Sequence, residues 1–259
     1  MVLHLLTVLF ALLVTSHAAR SRGPDVYTLC KRGFSYTWDD GPWTMHEEIV
    51  ETFDTQGAKT SFYINGNNWS CIYDEENVQT LRTTFENGHQ IASHTYLQWS
   101  HASLTELNDT QIDYEIKRLD EALIKILGIR PRFFRPPYGN FNQHIIDYIR
   151  GKHNKTIIMW SNDSGDATGG SARDSWNFYT RFAREEPDYT GLTLSHEVSD
   201  AGVEAMRNGT VQALVEAGVE LLTTADCLGL EPYDYVGDYG ERDETWNCDA
   251  EWTPSVSSR

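Results

Sequence analysis

The sequence is short of positive charge, of cysteine and of long apolar runs, and each shortage excludes something. Lys and Arg number 21 against 38 Asp and Glu, a net charge of −17, which repels nucleic-acid phosphates and anionic lipid surfaces and favours neutral or cationic partners. The four cysteines, Cys30, Cys71, Cys227 and Cys248, form no CxxC pair, so they read as two disulfides of an oxidising compartment rather than a zinc knot. Four cysteines allow three pairings; Cys30 with Cys248 would tie the two ends of the mature chain together. No internal repeat, low-complexity tract or linker divides the chain.

Charge is missing altogether from the first eighteen residues, which end in Ser16-His17-Ala18, the small-x-small pattern of a signal-peptide cleavage site. Their apolar run is shorter than the roughly 20 residues of a membrane span. Residues 1–18 are therefore expected to be a removed signal and 19–259 one domain, with an irregular tail from about residue 231. Sequons at Asn68, Asn108, Asn154, Asn162 and Asn208 fit passage through the secretory route.

What is present is an alternation of short β-rich runs and longer helical patterns. Phe34 to Trp38 reads as a strand, and a helix follows from about Met45, where Thr44 and Glu47 have capping-box spacing. Strands are expected at Ser61 to Ile64, Gln90 to Ser93, Arg132 to Phe134, Thr156 to Trp160, Leu192 to Ser195 and Glu220 to Leu222. Between them Val78, Leu81 and Phe85 share a helical face, as do Ile112, Ile116, Leu119, Leu123 and Ile126, which stop at Gly128. Shorter helices surround Ile145 to Ile149 and Val211 to Val215. This pattern calls for an α/β fold, a parallel sheet covered by helices and closed into a distorted (β/α) barrel.

Polar clusters stand where the strands end: Asp39-Asp40, His94, Arg135, Asp163 and His196. Each alone reads as a turn or a structural residue. Together they converge, because such barrels build active sites at the C-terminal rim of their strands.

In order these clusters are Thr37-Trp38-Asp39-Asp40-Gly41, His94-Thr95, Arg135-Pro136-Pro137-Tyr138, Asp163-Ser164-Gly165-Asp166 and Leu194-Ser195-His196. With Gly66-Asn67-Asn68-Trp69 and Asp226-Cys227-Leu228-Gly229, they make the chain resemble the polysaccharide deacetylases of the NodB-homology type, carbohydrate esterases that include the fungal chitin deacetylases. The resemblance implies a secreted, metal-dependent hydrolase that removes N-acetyl groups from chitin or another N-acetylglucosamine polymer, giving chitosan and acetate. It implies Asp39 as general base, His196 as general acid, Arg135 as the residue holding Asp39 and Asp163 as the one orienting His196. Asp40 and His94 would ligate one divalent metal, zinc or cobalt. The Tyr138 backbone N–H would meet the oxyanion, and Leu194 would line the acetyl pocket.

One motif departs from the family. Its His-Thr-x-x-His element is replaced by His94-Thr95-Tyr96-Leu97-Gln98-Trp99-Ser100-His101, which implies a three-residue insertion and His101 as the displaced third ligand. Two imidazole nitrogens on one zinc lie at most about 4 Å apart, whereas seven helical residues rise about 10.5 Å. His101 can therefore serve only if Tyr96 to Gln98 bulge. The alternatives are Gln98 as an oxygen ligand, or an incomplete site in a carbohydrate-binding relative without turnover. Ala167 also stands where the family has tryptophan, which would widen the cleft.

Overall fold

The computed structural model describes residues 25–97 and 103–249. In chain order β1 (Val26–Tyr27) and β2 (Thr37–Asp39) lead to α1 (His46–Thr55), β3 (Ser61–Ile64), α2 (Glu75–Glu86) and β4 (Gln90–Ser93). Then come α3 (Asp109–Leu127), β5 (Ile129–Pro131), β6 (Phe133–Phe134), α4 (Gln143–His153), β7 (Thr156–Ile158) and β8 (Asn162–Asp163). The last part holds α5 (Ala172–Glu185), β9 (Thr193–His196), α6 (Asp200–Arg207), α7 (Thr210–Glu216), α8 (Thr224–Leu228) and β10 (Tyr233–Val236).

Eight strands form one curled sheet in the order β1-β7-β6-β4-β3-β2-β9-β8, and every pairing in it is parallel. The expected (β/α) barrel is thus present in distorted form, as a sheet whose edge strands β1 and β8 do not pair. The register sets the rim level: Asp39 lies opposite Tyr63 on one side and His196 on the other. Alternate strand residues face opposite ways. Tyr36 and Trp38 accordingly turn outward, where Tyr36 stacks on Tyr179 of α5 at 3.8 Å, while Thr37 and Asp39 turn inward.

α3 shows why its sequence is helical. Asn108 caps it with Gln111 in a reciprocal capping box, and Gly128 ends it at φ 68. Ile112, Ile116, Leu119, Leu123 and Ile126 are fully buried. At α1 the expected Thr44–Glu47 box is not formed, because the helix begins one residue later with Met45 at its N-cap and no side-chain cap. Glu220 to Leu222 is not a strand but a single bridge from Leu221 to Phe34. The tail from residue 231 is less irregular than expected: β10 pairs antiparallel with β5.

The disulfides are Cys30–Cys227 and Cys71–Cys248, so the Cys30–Cys248 tie is not made. Cys30 instead anchors the segment before β2 to α8, and the C-terminal tail is fastened beside the β3–α2 loop. The expected signal, residues 1–18, lies outside the described residues. Among the described residues no helix is long and apolar enough to cross a membrane.

Candidate active site

The site begins with Arg135, which follows β6 and is 0 % exposed. A guanidinium there must be matched, since an uncompensated buried charge costs several kcal/mol. Its Nη1 donates to Asp39 Oδ1 at 2.6 Å and to Thr37 Oγ1 at 2.8 Å, and its Nη2 donates to the Met159 carbonyl at 3.3 Å. The guanidinium also lies over the Tyr63 ring, 3.8 Å from its centroid. Arg135 therefore holds Asp39 in one orientation, and the other carboxylate oxygen faces His94.

His94, just past β4, is 3 % exposed. Its Nδ1 donates to the Arg135 carbonyl at 2.7 Å, since a carbonyl can only accept. That bond assigns the tautomer and leaves Nε2 to face the carboxylates, 3.4 Å from Asp40 Oδ1 and 3.7 Å from Asp39 Oδ2. A lone pair turned on a carboxylate oxygen at this spacing matches two ligands of a four-coordinate zinc, whose ligand atoms stand about 3.4 Å apart. Asp40 reaches the position on a left-handed backbone, φ 76. Asn65 supports the other flank by donating to the His94 carbonyl at 2.6 Å.

Among the described residues no three His, Cys, Asp or Glu gather as a metal-holding group. The two candidates to complete the set, His101 and Gln98, lie outside the described residues.

His196 ends β9 across from Asp39. Its orienting partner is Asp166, not Asp163: Asp166 Oδ1 takes Nδ1 at 2.9 Å and Oδ2 takes the His196 backbone N–H at 2.8 Å. Asp163 is exposed and accepts from the Gly165 N–H at 2.8 Å, an Asx turn that uses up the first acid of Asp-Ser-Gly-Asp and carries the second inward. An Asp two residues before Gly in this tract is the signal that could have separated the two roles. Gly202 of α6 leaves room for Asp166, because a Cβ there would overlap its carboxylate.

Burial pulls the His196 imidazolium down. The Asp166 hydrogen bond and charge, with the charges of Asp39 and Asp40, outweigh that and push its pKa up to about 9.

Leu194 lies two residues before His196 on β9, so it shares its face, and it is buried. Thr193 and Ser195 point the other way, into the Tyr179 hydroxyl. Tyr138 stands in the turn after Arg135 at φ 59 and is 59 % exposed. Partial burial and the Asp40 charge raise its phenol above the ordinary value. Trp69, 42 % exposed and 5.8 Å from Trp43, adds a second aromatic surface near the Asp40 turn. The structure thus brings Asp39, Asp40, His94, Arg135 and His196 together and leaves Asp163 outside.

The family model described as Polysaccharide deacetylase matches residues 27–156, about half of the 259. A chitin deacetylase of Pestalotiopsis sp is 32% identical over 200 residues, 76% of this chain and 63% of that protein. One from Colletotrichum lindemuthianum is 27% identical over 210 residues, 77% of this chain and 80% of that protein. The solved structure of the chitin deacetylase from Colletotrichum lindemuthianum superposes with a TM-score of 0.72 at 25% identity, covering 81% of this chain and 95% of that one. The family match runs from β1 into β7, and the structural likeness continues the same fold beyond it. The chain belongs to the polysaccharide deacetylase family.

Proposed function

We propose that this protein is a metal-dependent deacetylase that hydrolyses the N-acetyl groups of chitin or chito-oligosaccharides to acetate and glucosamine units. One observation carries the reading: Asp39, locked by Arg135, and His196, locked by Asp166, occupy facing positions on β2 and β9 with the Asp40–His94 pair beside them. Asp39 is the base that takes a proton from the attacking water. His196, charged at neutral pH, gives its proton to the departing amine. The Tyr138 backbone N–H donates to the oxyanion, and Leu194 supplies the apolar wall for the acetyl methyl. Exposed Tyr138 and Trp69 offer flat faces to sugar rings.

Asp40 and His94, with His101 or Gln98, would hold the zinc or cobalt ion; when bound, such an ion lowers the pKa of a water and polarises a carbonyl. Export to the extracellular space or cell wall, with sequons glycosylated, is supported by the two disulfides and the chitin-acting relatives.

The test is acetate release from chitin oligomers after chelation and again after adding zinc or cobalt. Release restored by metal and reduced at least a hundredfold in Asp39→Asn is expected. Chitin binding without release under either metal would instead establish a carbohydrate-binding relative without turnover.

A further inference from the structure

Glu197 follows His196 and has no part in the chemistry above. Its side chain is wholly buried, and both carboxylate oxygens are engaged: Oε1 accepts from the Trp43 backbone N–H at 2.7 Å, and Oε2 meets His46 Nδ1 at 2.8 Å. The Glu197 backbone N–H donates to the Asp39 carbonyl at 3.2 Å. A Cβ on Gly41 would overlap the carboxylate, so the group lies flat against the backbone of the Asp39 to Trp43 turn.

His46 carries the contact outward. Its Nε2 is 3.0 Å from Thr84 Oγ1, whose hydroxyl donates to the Thr80 carbonyl at 2.8 Å, so His46 Nε2 brings the proton to Thr84. The imidazole is stacked on Phe62 at 3.9 Å and cannot swing away.

Three alternate residues of one turn, Asp39, Gly41 and Trp43, are therefore touched by a single residue. Between them stands Asp40 in the left-handed region, φ 76, a conformation that a non-glycine residue keeps only when its surroundings enforce it. A helix cap for α1 would need one acceptor and no more. Glu197 also comes from the strand end that carries His196, so it joins the two sides of the site.

We propose that Glu197, backed by His46, is a positioning residue that keeps Asp40 against His94 and ties their turn to the strand of His196. The metal arm of the test below rests on the deacetylase reading; the structural arm does not. Cobalt binding is measured by calorimetry and by the visible spectrum of the bound ion, on the parent, Glu197→Ala, Glu197→Gln and a control, Ile149→Val, in the buried face of α4. Crystal structures report the separation of His94 Nε2 and Asp40 Oδ1, 3.4 Å in the parent.

Glu197→Ala is expected to weaken cobalt binding by about ten- to a hundredfold, alter the spectrum and widen that separation. Glu197→Gln keeps an acceptor for Trp43 and is expected to stay near the parent, as is Ile149→Val. If Glu197→Ala does not accumulate folded, Glu197→Asp replaces it, with the same loss expected because its carboxylate is drawn back from Trp43. Parental affinity and an unchanged separation in the Ala or Asp variant overturn the proposal, and so does an equal loss in Ile149→Val. A parent that takes up no cobalt overturns the metal reading instead, and the separation alone then decides the role of Glu197.

Discussion

A carboxylate that takes both the backbone N–H and the Nδ1–H of one histidine fixes the ring and stabilises its charge together. Asp166 does this to His196. Asp166→Asn is expected to bring the His196 pKa down from about 9 toward 6.5 or below, because burial would then meet less opposition. Acetate release should fall by about a hundredfold or more. Asp163→Asn, at an exposed Asx turn, should leave the titration where it is. Proton NMR of the histidine resonances separates the two variants. The linkage runs in one direction: the folded pKa is raised, so the contribution of His196 to stability is complete below about pH 6.5 and lost as pH rises through about 9. Both acids were visible in Asp163-Ser164-Gly165-Asp166; which one turned inward depended on the turn between them.

At the scale of elements, legibility followed periodicity. The apolar face of α3 and the stop at Gly128 could be read directly, and β3 and β4 have the expected bounds. α5 was not read, although Ser171 and Asp174 form a capping box and Ser175, Tyr179 and Phe182 make one buried face. Aromatic residues also occupy its other positions and blur the period. At α1 the helix starts after Met45 without a side-chain cap, and the Trp43 N–H just before it goes to Glu197, which is remote in sequence.

Gly128 also serves packing. It is left-handed at φ 68, and a Cβ there would overlap the Gly237 carbonyl, whose own N–H donates to the Gly128 carbonyl at 2.8 Å. Gly128→Ala is therefore expected to cost more than about 1 kcal/mol and to free the tail after β10. Urea denaturation checks the first effect, and faster proteolysis between residues 231 and 249 the second.

For the whole molecule, two features set how it responds to its surroundings. The disulfides span 197 and 177 residues, for which chain entropy sets a ceiling of about 5 kcal/mol each. Replacing Cys71 and Cys248 together by Ser should lower the urea midpoint and make reducing agent less consequential. The second feature is His89, whose side chain is fully buried. Its Nδ1 accepts from the Thr60 N–H at 3.2 Å, so Nε2 carries the proton to Asp54 Oδ1 at 3.1 Å. Burial, against the opposing pull of Asp54 and with the help of the Lys59 charge, holds its pKa down at about 4, and burial brings His153 to about 4 as well. The unfolded chain binds these protons near pH 6.5, so stability should fall as pH drops from about 6.5 to 4. The urea midpoint across that range should decline, and His89→Gln should flatten the slope.

The sequence by itself determined the alternation of strands and helices, the convergence of Asp39, Asp40, His94, Arg135 and His196 on one rim, and the presence of two disulfides. These follow from local periodicity and from the rule that parallel strands end at the same face. Tertiary structure alone decided that Cys71 rather than Cys30 meets Cys248 and that Glu197 lies under the Asp40 turn. Each of those is a choice among chemically equivalent partners, and only the register and packing of distant segments distinguish one carboxylate or one thiol from the next.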